Sequence, residues 1–344
     1  MKRRYVKYST VVLSFLTLFI LGWILVFQES TAIARARYDQ MSGLERLRFY
    51  NESLEEQNEK LKTNLRITVP KGVAEKDIVM ETDYVNQRFV VSIPRANEKF
   101  LFKNPIVGSS NNIQDIITEA GGDVLNIEIL LDAVYEPKVS YEGDYMYVGF
   151  KDPHELYDKI VVIDAGHGGN DPGTIAEGFY EADIDLEIAK KLKPKLEAQG
   201  IRVYMTRETD KYVGLQTRVG MANAVKADAF ISIHCNSTSA RSSKYNGTQV
   251  LFNDGDETGN SYELAELCME GVTTNFSSER MMVSSGSSIY IVRNSKVPVA
   301  LVEVGFMSNK EELAKLIDED YQNKAADGIT EAISKAYLRG IIHG

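Results

Sequence analysis

Histidine is scarce in this chain of 344 residues, limited to His154, His167, His234 and His343. Cysteine is scarcer still. Cys235 and Cys268 stand far apart, and neither falls in a C-x-x-C or zinc-knuckle spacing. A structural zinc site built on thiolates is therefore excluded, and a disulfide between the two is not expected. A basic face is lacking as well: 39 Lys and Arg against 49 Asp and Glu leave a net charge of -10, the wrong balance for a nucleic-acid binder. No Gly-x-Ser-x-Gly elbow occurs, so a serine hydrolase of that kind has no support. The triplet His234-Cys235-Asn236 does not supply a thiol nucleophile either. Neighbouring strand residues point to opposite faces, which turns Cys235 away from His234 and into the core.

Charge is also missing from Ser9 to Phe27, an apolar run that holds the only tryptophan, Trp23, and follows Lys2, Arg3, Arg4 and Lys7. The run is close to the length of a membrane-crossing helix and longer than most signal-peptide cores. We read residues 1–30 as a basic cytoplasmic flank and an uncleaved signal anchor, although Ala32-Ile33-Ala34 resembles a cleavage site. The basic flank keeps the N-terminus in the cytoplasm. The expected location is the cell membrane, single-pass, with the rest of the chain on the outer side.

Residues 31–66 read as a helical stalk. Leu44, Leu47, Leu54, Leu61 and Leu65 follow an a/d seam, with Asn51 and Asn58 at the remaining core-type positions. Such a seam supports a weak coiled-coil dimer through residues 44–65, and a single amphipathic helix fits equally well. From 67 to 153 the texture is that of a small β-rich domain. Phe89–Ile93, Val124–Ile129 and Tyr145–Phe150 look like strands between Gly, Asn and Pro turn signals. It carries no acid/base or metal cluster, which suits binding or positioning.

Residues 154–344 alternate short apolar strands with helical patterns. Ile160–Ile163, Val203–Thr206, Phe230–His234, Ile289–Val292 and Val299–Glu303 read as strands. Ile184–Ala198, Gln216–Val225, Tyr262–Thr274, Glu311–Ile317 and Gln322–Leu338 read as helices. The fold class is α/β: a mostly parallel sheet covered by helices on both faces, preceded by the β-rich domain, the stalk and one transmembrane helix.

In open α/β sheets functional groups gather at the carboxyl ends of the strands. His167 lies just past the first strand, in Asp164-Ala165-Gly166-His167-Gly168-Gly169, while His234 and Glu303 end two others. Glu181 stands at the start of the first helix. Two imidazoles and a carboxylate suit catalytic zinc, which keeps one position open. The glycines let a metal and substrate approach the backbone, and Asp164 or Asp171 could brace the loop or accept a ring N–H. Glu303 lies within Ala300-Leu301-Val302 and Val304-Gly305-Phe306, where a carboxylate is costly to bury without a partner. Taken singly, each of these residues also fits a plain structural role.

In order along the chain stand Asp164–Gly169, Glu181 in Glu-Ala-Asp-Ile-Asp-Leu, Ser232-Ile233-His234-Cys235-Asn236-Ser237, and Val302–Asn309. Together they resemble the zinc-dependent N-acetylmuramoyl-L-alanine amidases of the type-3 class, over nearly all of residues 159–340. The resemblance implies one zinc ion held by His167, Glu181 and His234, with Glu303 as the catalytic carboxylate. It further implies a peptidoglycan substrate cut between the lactyl group of N-acetylmuramic acid and L-alanine. An activator protein is a partner that the sequence leaves open. A zinc peptidase cutting within the stem, or an inactive wall-binding or regulatory module, would use the same fold. Cys235 departs from the alanine expected there. Arg207 and Arg218 match the family's texture, with substrate and structural roles both open. The β-rich domain is similar to the AMIN-type modules that precede such amidases. No helix beyond the one the fold needs is read between Phe252 and Tyr290, so no self-blocking segment is expected.

Overall fold

The computed structural model describes residues 35–36, 40–52, 59–238 and 245–343. The apolar run 9–27 lies outside them. Among the described residues no helix is long and apolar enough to cross a membrane. The chain divides into two compact units. One runs to Val79 and takes in Val91–Leu130 and Ser140–Val148; the other holds Met80–Val90, Leu131–Val139 and everything from Gly149.

The first part of the chain runs α1 (Gly43–Glu52), β1 (Asn64–Thr68), β2 (Val79–Asp83), β3 (Arg88–Pro94), α2 (Glu98–Lys103), β4 (Val107–Gly108), β5 (Ile113–Gly121), β6 (Val124–Leu131), β7 (Glu136–Glu142) and β8 (Tyr145–Lys151). Its strands form two four-stranded sheets, ordered β4-β1-β8-β7 and β2-β3-β6-β5. The period-2 pattern explains them. Phe89, Val91 and Ile93 of β3, and Leu125, Ile127, Ile129 and Leu131 of β6, are all buried while their neighbours face outward.

The expected coiled-coil stalk is corrected here. Helix α1 is described over Gly43–Glu52, and Leu65 belongs to β1 rather than to a continued helix. Leu54 and Asn58 lie outside the described residues. Leu47 and Leu65 are buried within their own chain. The Asn51 amide donates to the Gly108 carbonyl at 2.6 Å and accepts from the Gly108 N–H at 2.8 Å. These side chains are already engaged, so they do not line a seam for a second copy. Leu65 with Ile67 shows the alternation of a strand.

The second part runs β9 (Ile160–Ala165), β10 (Ile175–Ala176), β11 (Phe179–Tyr180), α3 (Glu181–Glu197), β12 (Arg202–Met205), α4 (Leu215–Ala224), β13 (Ala229–Asn236), β14 (Thr248–Phe252), α5 (Asn260–Phe276), β15 (Arg280–Ser285), α6 (Tyr290–Arg293), β16 (Val299–Phe306), α7 (Lys310–Leu316) and α8 (Glu319–Leu338). Its six-stranded sheet has the order β12-β9-β13-β16-β14-β15. Helices cover both faces. Residues of α3, α5 and α8 pack with Val161, Ile163 and Ile231 on one side. On the other, α4 and α6 pack with Ile160, Val162 and Phe230, and Val134 completes that layer.

Two expectations are revised. The sheet is mixed rather than mostly parallel, because β14 runs antiparallel to β16. The connection from Asn236 to Thr248 is shorter than the dozen or more residues a parallel crossover needs, so β14 returns in the opposite sense. The segment Ile289–Val292 is not a strand; it forms most of the single-turn helix α6 and buries Ile291 and Val292. A short buried apolar run does not distinguish strand from helix by periodicity.

Helices α5 and α8 meet backbone to backbone. A Cβ on Gly271 would stand 2.2 Å from the Gly328 carbonyl oxygen, and one on Gly328 would stand 2.4 Å from that of Gly271. Gly271→Ala should therefore destabilise the fold by about 1–3 kcal/mol, the usual range for overpacking a tight contact. Denaturant unfolding measures this; an unchanged midpoint would mean that the two helices are not in contact.

Candidate metal centre and active site

The loop after β9 is built around a buried carboxylate. Asp164 has no solvent exposure and accepts from Thr206 Oγ1 at 2.6 Å, Ser232 Oγ at 2.7 Å and Arg218 Nη1 at 2.8 Å. Burial alone would raise its pKa, but the Arg218 guanidinium and these hydroxyls hold it below the usual carboxylate value. Arg218 also donates to the carbonyls of Val213, Ala165 and His167. Arg207 donates to those of Ala165, Gly166 and Ala182. Both arginines are buried, which answers the question left open by the sequence: their visible work is to hold the backbone of residues 165–167. That backbone is unusual. His167 takes φ 57°, and Gly168 takes φ 117°, a region open in practice to glycine.

Clamped in this way, His167 turns its two ring nitrogens to separate tasks. Nδ1 lies 2.9 Å from Asp171 Oδ2, which fixes the tautomer and leaves Nε2 for the interior. His167 Nε2 and His234 Nδ1 each lie 3.1 Å from Glu181 Oε1. Glu181 opens α3, and its carboxylate is aimed by the N–H of Thr174 at 2.8 Å and that of Cys235 at 3.2 Å. Burial opposes its charge, yet the two imidazoles hold its pKa far below normal. His167 shows the reverse. Burial alone would lower it, but Glu181 and Asp171 raise it to about 9. A protonated His167 thus supplies positive charge beside Glu181.

Glu303 reaches the same place by register. Strands β13 and β16 are parallel, with His234 opposite Glu303, so both side chains leave the same face. The carboxyl is pushed up to about 7 by burial, with His234 and His167 opposing and Glu181 adding to the rise. Its Oε2 has no hydrogen-bond partner. Cys235 points the other way, into the core between the sheet and α3, α5 and α8, as its alternation with His234 requires.

The structure thus brings together His167, Glu181, His234 and Glu303, the four residues singled out in the sequence. It leaves out His154, whose Nε2 meets the Val225 carbonyl at 3.0 Å. One residue of the cluster escaped the sequence reading. Asp185 joins His167, Glu181 and His234 in a set whose ligand atoms all lie within 4.8 Å of one another. Its position one helical turn after Glu181 was the available signal.

The donor set fits zinc. Donors about 2.0–2.1 Å from a tetrahedral zinc stand about 3.3 Å apart, close to the separations of Glu181 Oε1 from the two imidazole nitrogens. The three donors converge from β13, from α3 and from the loop after β9, and a metal-free cluster leaves a buried carboxylate with no better counter-charge than the imidazoles.

Comparison with known proteins identifies the family. The family model for N-acetylmuramoyl-L-alanine amidase matches residues 161–335. Among curated relatives, the uncharacterized protein YqiI of Bacillus subtilis is 37% identical over 179 residues, covering 52% of this chain and 85% of the relative. The germination-specific N-acetylmuramoyl-L-alanine amidase of the same organism is 31% identical over 196 residues, covering 53% and 81%. Among solved structures, an N-acetylmuramoyl-L-alanine amidase from Clostridium difficile 630 matches with a TM-score of 0.50 at 32% identity. That match covers 52% of this chain and 96% of the other.

The buried pair gives a direct prediction. Arg218→Met leaves Asp164 without its cation and should cost about 3–5 kcal/mol, the usual penalty for breaking a buried pair. Because the folded-state pKa of Asp164 is depressed, its stabilisation is present above the unfolded value near 3.9 and is lost as pH falls through the folded value. The parent should therefore lose most of its advantage over the variant in acid. A variant as stable as the parent at pH 7 would refute the clamp.

Proposed function

The chain belongs to the N-acetylmuramoyl-L-alanine amidase family, and from that membership we propose that it hydrolyses the lactyl–L-alanine amide of peptidoglycan, with His167, Glu181 and His234 holding a zinc ion and Glu303 acting as the base. When bound, zinc supplies polarisation of the scissile carbonyl and acidification of water. The residues of the chain supply the rest. Asp171 keeps the ring of His167 turned so that Nε2 faces the ion. Thr174 and Cys235 aim the Glu181 carboxylate through their N–H groups. Glu303 takes a proton from the attacking water and returns it to the departing L-alanine amine, which needs it to leave. A carboxyl whose affinity for protons is raised by burial, with one oxygen free, suits both transfers.

The observation that carries this reading is the convergence of three donors on one point with Glu303 beside them. The same point argues against an inactive module, which has no need of an unpartnered buried base. Choice of the lactyl–alanine bond over one within the stem rests on family membership. A wall-facing location, anchored through residues 9–27, completes the proposal and rests on the sequence alone.

Two outcomes are expected. Peptidoglycan digested by the zinc-loaded chain should yield, by mass spectrometry, intact stem peptides with a free N-terminal L-alanine. Cleavage within the stem would move the protein to the peptidases, and a zinc-replete chain that releases nothing would favour the inactive module. Zinc binding should also release a proton, since metal-free His167 stays protonated up to about pH 9 and must be neutral to ligate. Apparent affinity should rise at least about tenfold per pH unit from pH 6 to 8, read by calorimetry in buffers of different ionisation heat. Binding without proton release would show that His167 is not a ligand.

A further inference from the structure

Asp185 is a member of the cluster that neither the three donors nor the base accounts for. It is completely buried, one turn along α3 from Glu181 and on the same face of that helix. Neither of its carboxyl oxygens accepts a hydrogen bond from a nitrogen or oxygen donor. The Cys235 thiol lies against it, and a thiol is a weak donor. Glu181 and Glu303 face it as like charges, and Arg207 is the cation on that side. Its Oδ2 stands 3.9 Å from His234 Nδ1. The space between them is kept clear by Gly166, where a Cβ would come within 2.7 Å of Asp185 Oδ2 and 2.6 Å of His234 Nδ1.

A carboxylate sealed from water without donors is among the costlier groups a fold can carry, and each such group calls for a reason. Packing supplies none, because an apolar side chain of the same size would fill this position without the penalty and an amide would carry a smaller one. A divalent cation at the three donors would supply the missing counter-charge. We infer that Asp185 is a fourth acidic member of the metal centre. From just outside the two short contacts that join the donors, at 3.9 Å from His234 Nδ1 where those stand at 3.1 Å, it raises the affinity for a divalent cation through its charge. Glu181 and Asp185 together then neutralise the ion, and the two imidazoles complete its binding without added charge. This inference rests on the reading that His167, Glu181 and His234 hold zinc.

The test compares the full chain with Asp185→Asn and Asp185→Ala. Zinc affinity is read by competition with a chromophoric chelator, and the melting temperature is read after the metal has been stripped. The asparagine variant keeps the size of the side chain and removes its charge. It should bind zinc at least about tenfold more weakly, the scale on which groups outside the direct ligands act, while its metal-free form melts no lower than the parent. The alanine variant should show the same loss of affinity, and it decides the matter if the asparagine variant does not fold. Unchanged zinc affinity in both variants would overturn the inference. So would a metal-free melting temperature that falls by several degrees in the asparagine variant, which would make Asp185 a residue of the fold. A parent chain that binds no zinc would remove the underlying reading too, and that shows before any variant is compared.

Discussion

Arg218 and Asp164 meet at 2.8 Å with almost no exposure to solvent, and the loop that presents His167 hangs from that contact. An ion pair so buried is weak evidence for stability, since desolvation consumes most of the Coulomb gain. What it fixes is position. The same guanidinium that neutralises Asp164 also donates to the carbonyls on both sides of Gly166, and Arg207 takes the carbonyl between them. Three consecutive carbonyls are thus held by two guanidinium groups, which keeps His167 at a positive φ and points its ring at Glu181. Without the clamp, nothing in a glycine-rich stretch would choose that conformation over its many alternatives.

Electrostatics in the centre follow from this placement. Two imidazoles share one carboxylate oxygen, and two further carboxyl groups, buried Asp185 and half-buried Glu303 with its Oε2 sealed from solvent, lie within the same field. The metal-free arrangement is strained in its charges. A proton is held on His167 against the effect of burial, and both Asp185 and Glu303 carry oxygens without partners. Each of these features is relieved by a cation at the point where the donors converge. On the proposed function, metal binding and deprotonation of the site would be coupled, since ligands must be deprotonated to bind.

Much of this was legible in the sequence, and the limits are instructive. The strands that carry His234 and Glu303 showed themselves as short apolar runs, although β13 continues to Asn236 and β16 runs on through buried Val304 and Phe306 instead of stopping at these side chains. The register that sets the two side by side is tertiary and could only be guessed from the carboxyl-edge rule. The arginines looked the same whether they met substrate or backbone, since burial decides between those roles and burial is not written locally. Strand β15, with Arg280, Met281 and Met282 all exposed, carries no apolar alternation to find. The leucines of the stalk matched a heptad because any run with one apolar residue in three or four does so. Asp185 looked like one more acid at the start of a helix; its spacing of four from Glu181 was a weak signal of a shared face, and its burial is what marks it out.

The central claim is a division of labour, in which three residues hold the ion and one moves protons. Its most direct test measures zinc content and turnover together in the full chain with Glu303→Gln and, separately, His234→Ala. The account predicts that Glu303→Gln retains one zinc per chain and loses turnover by about 10²-fold or more, the range for removal of a general base, whereas His234→Ala fails to retain the metal. Turnover by Glu303→Gln at the parent's rate, or tight zinc binding by His234→Ala, would contradict it.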